Sequence, residues 1–272
     1  MLNTFRERLQ AEEIGLFAPI SLRDCRVIRP YLLTRTGIED GTVLMMAVPY
    51  AICNDEMRNV SRYAIARDYH LYFRELFDRI LPVLRDRYPD NCFAGFADHS
   101  PIDEVDAALR AGLGIRGAHG LLLTEAYSSY VFLGEIITDA ILPATATPIR
   151  ECEKCGACRR ACPVGLDKAR CLSALTQKKG ALTDEEEALL HTHPLVWGCD
   201  TCQEACPHTV AARRRGSLGH VPPFFRTALL PHLTEEALEQ MAEDTFRERA
   251  YAWRGRDVIA RNLKRKRSDH LS

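Results

Sequence analysis

The chain has 272 residues, 46% of them hydrophobic and 27% charged, with a formal net charge of −1. That is the balance of a soluble globular protein, long enough for two domains or one large domain with an insert, and a charge near zero gives no ground for general nucleic-acid affinity. The charged amino terminus lacks the apolar stretch of a secretory signal, and the longest apolar run, Val43 to Cys53, falls far short of the ~20 residues that span a bilayer, so the expectation is a cytoplasmic protein with no membrane partner.

In chain order, Thr42 to Val48 is a short, continuously apolar run ending before Pro49, the pattern of a buried strand. From Tyr69 the apolar spacing changes to Tyr69, Tyr72, Phe73, Leu76, Phe77, Ile80, Leu81 and Leu84, an amphipathic helix kinked or ended near Pro82. Tyr69, Tyr72 and Phe73 read as its core face rather than a stacking platform. Cys92 to Ala97 reads as a second strand with Asp98 at its carboxyl end. Asp103 to Ala111 reads as a short helix closed by Gly112 or Gly114, and His119–Thr124 with Ser128–Thr138 as a hairpin turning at Glu125–Tyr127. Strands in hairpins mixed with helices, rather than a regular β–α alternation, make residues 1–145 an α+β domain. A linker, Pro143 to Pro148, leads into a cysteine-rich stretch (146–215). A segment with Pro222 and Pro223 and two terminal helices, Thr234–Arg249 and Gly255–Lys266, completes the chain (216–272).

Eleven cysteines are anomalous for such a chain, and eight of them fall between Cys152 and Cys206. The cytosol keeps thiols reduced, so clustered cysteines there point to metal rather than disulfides. Cys152, Cys155, Cys158 and Cys162 follow C-x2-C-x2-C-x3-C and are followed by Pro163. This is the run by which bacterial ferredoxins hold a 4Fe–4S cluster, three cysteines wrapping one cubane while the fourth reaches to the other. Cys199, Cys202 and Cys206, followed by Pro207, form a second motif, with Cys171 standing in for its missing early member. The two-cluster assignment is Cys152, Cys155, Cys158 and Cys206 for one cubane, and Cys162, Cys171, Cys199 and Cys202 for the other. Paired four-cysteine zinc sites are the alternative, but zinc knuckles lack the third cysteine at x2 and the Cys-Pro ending. Cys25, Cys53 and Cys92 read as ordinary buried thiols. Clusters of this kind move single electrons and rarely transform a substrate, so the chemistry is expected in residues 1–145.

An ordered set of short stretches resembles the epoxyqueuosine reductases. It comprises Arg62-Tyr63-Ala64, Asp68-Tyr69-His70, Asp98-His99-Ser100-Pro101 with Glu104, Ala111-Gly112-Leu113-Gly114 and Gly117. It continues with Tyr130 to Glu135, Arg170 to Ser173, Gly198 to Gln203, Cys206-Pro207, Phe246 to Arg249, and Arg261-Asn262. The resemblance implies an amino-terminal cobalamin and substrate domain, a two-cluster ferredoxin-like domain and a short helical tail. The implied reaction is reductive removal of an epoxide oxygen from a modified tRNA base, with a flavodoxin or ferredoxin as electron donor and tRNA as partner. Asp98 matches the family's proton donor: a carboxyl shielded at a strand end can hold a proton near neutral pH. His70, Tyr69, Gly112, Gly114 and Gly117 match cofactor-binding positions.

Three departures accompany the match. Ile115 and Arg116 precede Gly117-Ala118-His119 where the family has Trp and Gly-Lys-Asn, and Glu104-Val105 replaces a Glu-Arg pair. The chain also ends soon after Asn262, where family members continue into helical repeats. His119 stands near the implied active site. The basic runs Arg213–Arg215 and Lys264–Arg267 are solvated surface or phosphate contacts. An electron-transfer protein, or one that reduces cobalamin without a further substrate, are the competing readings.

Overall fold

A computed structural model describes residues 1–52 and 57–268, and for 266–268 the backbone alone. Cys53 therefore lies outside the described residues. The framework is a four-stranded sheet of β1 (Phe17–Ser21), β2 (Thr42–Pro49), β3 (Phe93–Phe96) and β6 (Val131–Thr138), in the order β1-β2-β6-β3 with every neighbouring pair antiparallel. A small second sheet pairs β4 (Ile115–Arg116) with β5 (Leu122–Leu123). Helices α1 (Leu2–Ala11) and α3 (Tyr69–Arg87) cover one face of the large sheet. Helix α4 (Glu104–Arg110) covers the other, and α2 (Pro30–Thr36) lies between β1 and β2 in sequence.

The continuous apolar run of β2 has a direct cause. Its even positions Leu44, Met46 and Val48 enter the core under α1 and α3, and its odd positions Val43, Met45 and Ala47 enter the core under α4. Every residue of the strand is buried, because a strand covered on both faces has no solvent side on which to alternate. Helix α3 lies so close to the sheet that a Cβ at Gly134 would overlap the ring of Phe73, and one at Gly95 the ring of Phe77.

Three expected elements differ in detail. Helix α3 runs through Pro82 to Arg87, because Pro82 is on its exposed side and the carbonyl it frees, on exposed Asp78, faces water. The stretches either side of Glu125–Tyr127 meet at a single bridge, Thr124 to Ser128; β5 then pairs with β4, and β6 with β2 and β3. Thr234–Arg249 divides into α10 (Glu235–Gln240) and α11 (Glu243–Arg247), because Met241 and Ala242 are both extended.

The cysteine segment carries α5 (Ala157–Ala161), α6 (Leu172–Thr176), α7 (Asp184–His191), α8 (Thr201–Glu204) and α9 (Pro207–Arg214), and the last described helix is α12 (Arg256–Ser268). It shares its cores with the rest of the chain. Ala212, Leu218, Val221 and Phe225 join the core under α3, while Val196, Trp197, Tyr251 and Ile259 close over Val60, Ala64 and Ile65. Polar ties reinforce this seam. Asp200, buried, accepts hydrogen bonds from Ser61 Oγ at 2.6 Å and from the Arg62 amide at 2.9 Å. Asn262 donates to the carbonyls of Thr176 and Val196. Among the described residues no helix is long and apolar enough to cross a membrane.

Candidate active site and cysteine cluster

A cavity of about 710 Å³ opens between the sheet half and the cysteine segment. Val131, Phe132 and Leu133 of β6, with Leu121 and Leu122, form an apolar wall. Ser173, Gln177 and Gln203, from the stretches that carry Cys171 and Cys202, form part of another. Gln203 is anchored by a 2.9 Å bond from Ser129 Oγ.

At the rim, the first turn of α3 meets the end of β3. Asp68 caps α3 by accepting the His70 amide, and its Oδ1 also accepts from His70 Nδ1 at 2.8 Å. His70 Nε2 is 3.5 Å from Asp98 Oδ2. The hydrogen bond to Asp68, then that to Asp98, outweigh burial and raise His70 to about 9, so the ring is an imidazolium at neutral pH with both nitrogens committed to carboxylates. Asp98 responds in the opposite sense: its bond to His70 holds the carboxyl below the usual range. The Asp98 side chain is 67% exposed and is ionised at neutral pH. The shielded, proton-holding carboxyl expected at this position is thus corrected to an ionised partner of a charged histidine. Tyr69 lies between His70 and Phe132, stacked on the latter at 4.3 Å between ring centroids, and burial raises its hydroxyl.

The carboxyl poised near neutrality is Glu104. Burial, and the nearby Asp98 charge, lift it to about 7, although it accepts the Asp98 amide at 3.0 Å. Beside it, Glu135 points from β6 into the core and is fully buried, and burial then Glu104 raise it well above its ordinary value. Glu135 was missed in the sequence. Its signal was one carboxylate in an otherwise apolar strand.

Gly112, Gly114 and Gly117 do not line the cavity, and each has a local reason to be glycine. Gly112 takes a left-handed turn after α4 (φ +81°). A Cβ on Gly114 would strike the Leu123 carbonyl, and one on Gly117 the ring of His119.

The ten described cysteines are all free thiols. Cys152, Cys155, Cys158 and Cys206 line one cavity of about 260 Å³ together with His119 and His208. Around Cys202, burial and then the thiols of Cys199, Cys162, Cys171 and Cys158 push its own thiol up to about 12. Helix α5 packs on α8, which brings the stretches that carry these cysteines together. The donor set suits iron–sulfur clusters: soft sulfurs, with the Ala118 amide 3.3 Å from Cys152 Sγ. A metal that such thiols coordinate deprotonates them outright. Among the described residues no three His, Cys, Asp or Glu side chains gather closely enough for a single ion, whereas a cubane asks for one thiolate at each of four irons. His119 faces the thiols rather than the large cavity, and burial lowers its pKa. Cys25 is half-buried and its thiol is pushed up to about 12 by burial, whereas Cys92, expected buried, is exposed because it precedes β3 at the sheet edge. Arg213 and Arg265 are paired with Glu204 and Glu187, so neither is a free surface cation.

No protein-family profile matches the chain. Curated relatives do. It is 34% identical to the epoxyqueuosine reductase of Listeria monocytogenes over 211 residues, covering 72% of this chain and 53% of the relative. It is 36% identical to that of Escherichia coli over 162 residues, covering 57% and 42%. With the epoxyqueuosine reductase of Gloeobacter violaceus it shares 30% identity over 235 residues, 82% of this chain and 74% of the relative. The chain thus spans about half the length of the first two and three quarters of the third. Two solved structures share the fold. The epoxyqueuosine reductase of Streptococcus thermophilus has a TM-score of 0.76 at 20% identity, over 100% of this chain and 81% of that one. An epoxyqueuosine reductase solved with an epoxyqueuosine-modified tRNA-Tyr stem loop has a TM-score of 0.76 at 22% identity, over 98% and 82%. With that identity, coverage and order of matching residues, the chain belongs to the epoxyqueuosine reductase family.

Proposed function

We propose that this protein reduces an epoxide to an alkene on a modified tRNA base, using two 4Fe–4S clusters and cobalamin. The observation that carries the reading is the shared cavity: one wall holds the His70–Asp98 couple, and another comes from the segment that bears the cluster cysteines. Cys152, Cys155, Cys158 and Cys206 hold one cluster, and Cys162, Cys171, Cys199 and Cys202 the other. Val131, Phe132 and Leu133 would hold cobalamin, since they give the cavity an apolar wall suited to a flat macrocycle. Bound there, these groups supply the electrons of the reduction, drawn one at a time from a flavodoxin- or ferredoxin-type donor.

The balance is simple. An epoxide, two electrons and two protons give an alkene and water; both carbon–oxygen bonds break and the oxygen leaves with both protons. Asp98 delivers the first of these protons. At neutral pH the proton resides on His70, and the 3.5 Å approach of Nε2 to Oδ2 lets Asp98 take it up as it protonates the departing oxygen. Asp68 holds the ring in the orientation this requires. Because the folded-state pKa of His70 is raised to about 9, this supply is complete well below that value and fails as pH rises through it.

The test is anoxic turnover of an epoxyqueuosine-bearing tRNA stem loop, read as loss of one oxygen from the modified nucleoside. Wild-type protein should convert it. Asp98→Asn should be slower by about 10²–10⁴-fold, the range for loss of a positioned acid, with the cobalamin spectrum retained. Full turnover by Asp98→Asn would remove Asp98 from the mechanism, and failure to bind cobalamin would remove the cofactor.

A further inference from the structure

The turn that carries Asp98 is suspended from two buried carboxyls. Asp98 is a non-glycine residue in the left-handed region (φ +62°), a conformation that persists only where the surroundings impose it. Its amide donates to Glu104 Oε1 at 3.0 Å. Two residues on, Ser100 is fully buried, donates its hydroxyl to Glu135 Oε1 and accepts the Ile102 amide on the same oxygen at 3.1 Å. Arg29 Nη1 donates to the Ser100 carbonyl at 2.9 Å. Glu135 Oε2, fully enclosed, has no hydrogen-bond partner among the described residues. Two carboxyls this close and this dry cannot both be charged. A proton shared between the Glu104 and Glu135 side chains leaves Glu104 Oε1 to accept from the Asp98 amide.

We propose that Glu104 is the positioning residue for Asp98: protonated and donating to Glu135, it accepts the Asp98 amide and so aims the Asp98 carboxyl at His70. The inference rests on the reading of Asp98 as the group that delivers the proton. The charged groups facing Glu104 are Asp98 at the end of β3, Glu135 on β6 and Arg29 ahead of α2. Cys25 faces Glu135, and Tyr69 on α3 faces Glu104. None of them is a cluster ligand. Burial lifts Glu104 to about 7 and Glu135 further, consistent with a pair that retains a proton in neutral solution.

The experiment compares three variants in the full, cluster-loaded chain. Glu104→Gln keeps an oxygen for the Asp98 amide and offers an N–H to Glu135, so it mimics the protonated acid. Glu104→Asp keeps the acid but withdraws it by one methylene, and Glu104→Ala removes it. Turnover should remain within about threefold of wild type in Glu104→Gln. It should fall about a hundredfold in Glu104→Asp and Glu104→Ala, the scale of a misplaced catalytic group, in kcat with KM little changed. A second readout needs neither cobalamin nor substrate: the His70 pKa followed by NMR. It should drop from about 9 towards its ordinary value in Glu104→Asp and Glu104→Ala, as Asp98 swings off the ring, and hold in Glu104→Gln.

Should Glu104→Ala fail to fold, Glu104→Asp and Glu104→Gln still decide the matter. Equal losses in Gln and Asp, or an unmoved His70 pKa in Asp, would overturn the positioning role. If instead Asp98→Asn leaves turnover intact, the reading of Asp98 fails, and that outcome is separate from either result on Glu104.

Discussion

The sheet half of this protein buries its own core, with β2 enclosed at every position and α1, α3 and α4 closing both faces. The cysteine segment has little of the kind: its own cluster of buried apolar side chains is Leu172, Leu175 and Leu190. Burial at about 25 cal/mol per Å² cannot order a stretch of this length from so few side chains. On the proposed function, the clusters would serve as the missing core. Thiols on and beside α5, α6, α8 and α9 would hold them, and the seam to the sheet half supplies the rest. Electron relay and fold would then be one device, because the segment proposed to carry electrons also forms part of the cavity wall.

Stripping iron should break the comparison most sharply. After anoxic chelation, hydrogen exchange should lose protection across residues 151–206 while β2 and β6 remain protected, since metal binding there is folding free energy. Equal protection of both halves after iron loss would contradict the contrast.

Next comes the ion network at the seam. Burial alone would raise Glu204, but hydrogen bonds from Arg62 and Arg213 win and hold it at about 2. A depressed carboxylate stabilises the fold above its ordinary pKa and loses that contribution as pH falls through about 2. Glu204→Gln should therefore flatten the acid limb of stability against pH and cost up to about 3 kcal/mol at neutral pH. A denaturant series in pH reads it, and an acid limb unchanged by the substitution would show that the seam does not depend on this pair.

Inside the sheet half, Gly134→Ala forces a methyl into the Phe73 ring. The cost should be about 1–3 kcal/mol, seen as a lower denaturation midpoint, with the iron content unaffected. The smallest effect belongs to α7. Thr183 and Glu186 form a capping box there, and Thr183→Ala should cost about 1 kcal/mol, confined to exchange near Leu190.

How legible all this was in sequence follows the same division. The run Thr42–Val48 announced a strand buried on both faces, because that demand shows in every residue. The cysteine spacing set two groups of thiols apart, and the structure lines one cavity with Cys152, Cys155, Cys158 and Cys206. Asp98 was legible only as a position. Its ionisation depends on His70, 28 residues earlier in the chain, and its orientation on Glu104, and neither relation leaves a periodic trace. Gly112, Gly114 and Gly117 matched cofactor positions by resemblance, and each also has a local constraint: a left-handed turn, the Leu123 carbonyl and the His119 ring. Glu135 showed as a lone charge in an apolar strand, but its partner could be named only once β6 and α4 were packed together. The break between α10 and α11 had no glycine or proline to announce it. It arises where Met241 and Ala242 turn extended.

Iron and acid-labile sulfide analysis of anoxically purified protein bears most directly on the claim that two cubanes complete the fold and supply the cavity with electrons. The account predicts about eight of each per chain, falling by about half when Cys199→Ser or Cys155→Ser removes a ligand of one cubane. Colourless protein carrying zinc in place of iron would contradict it.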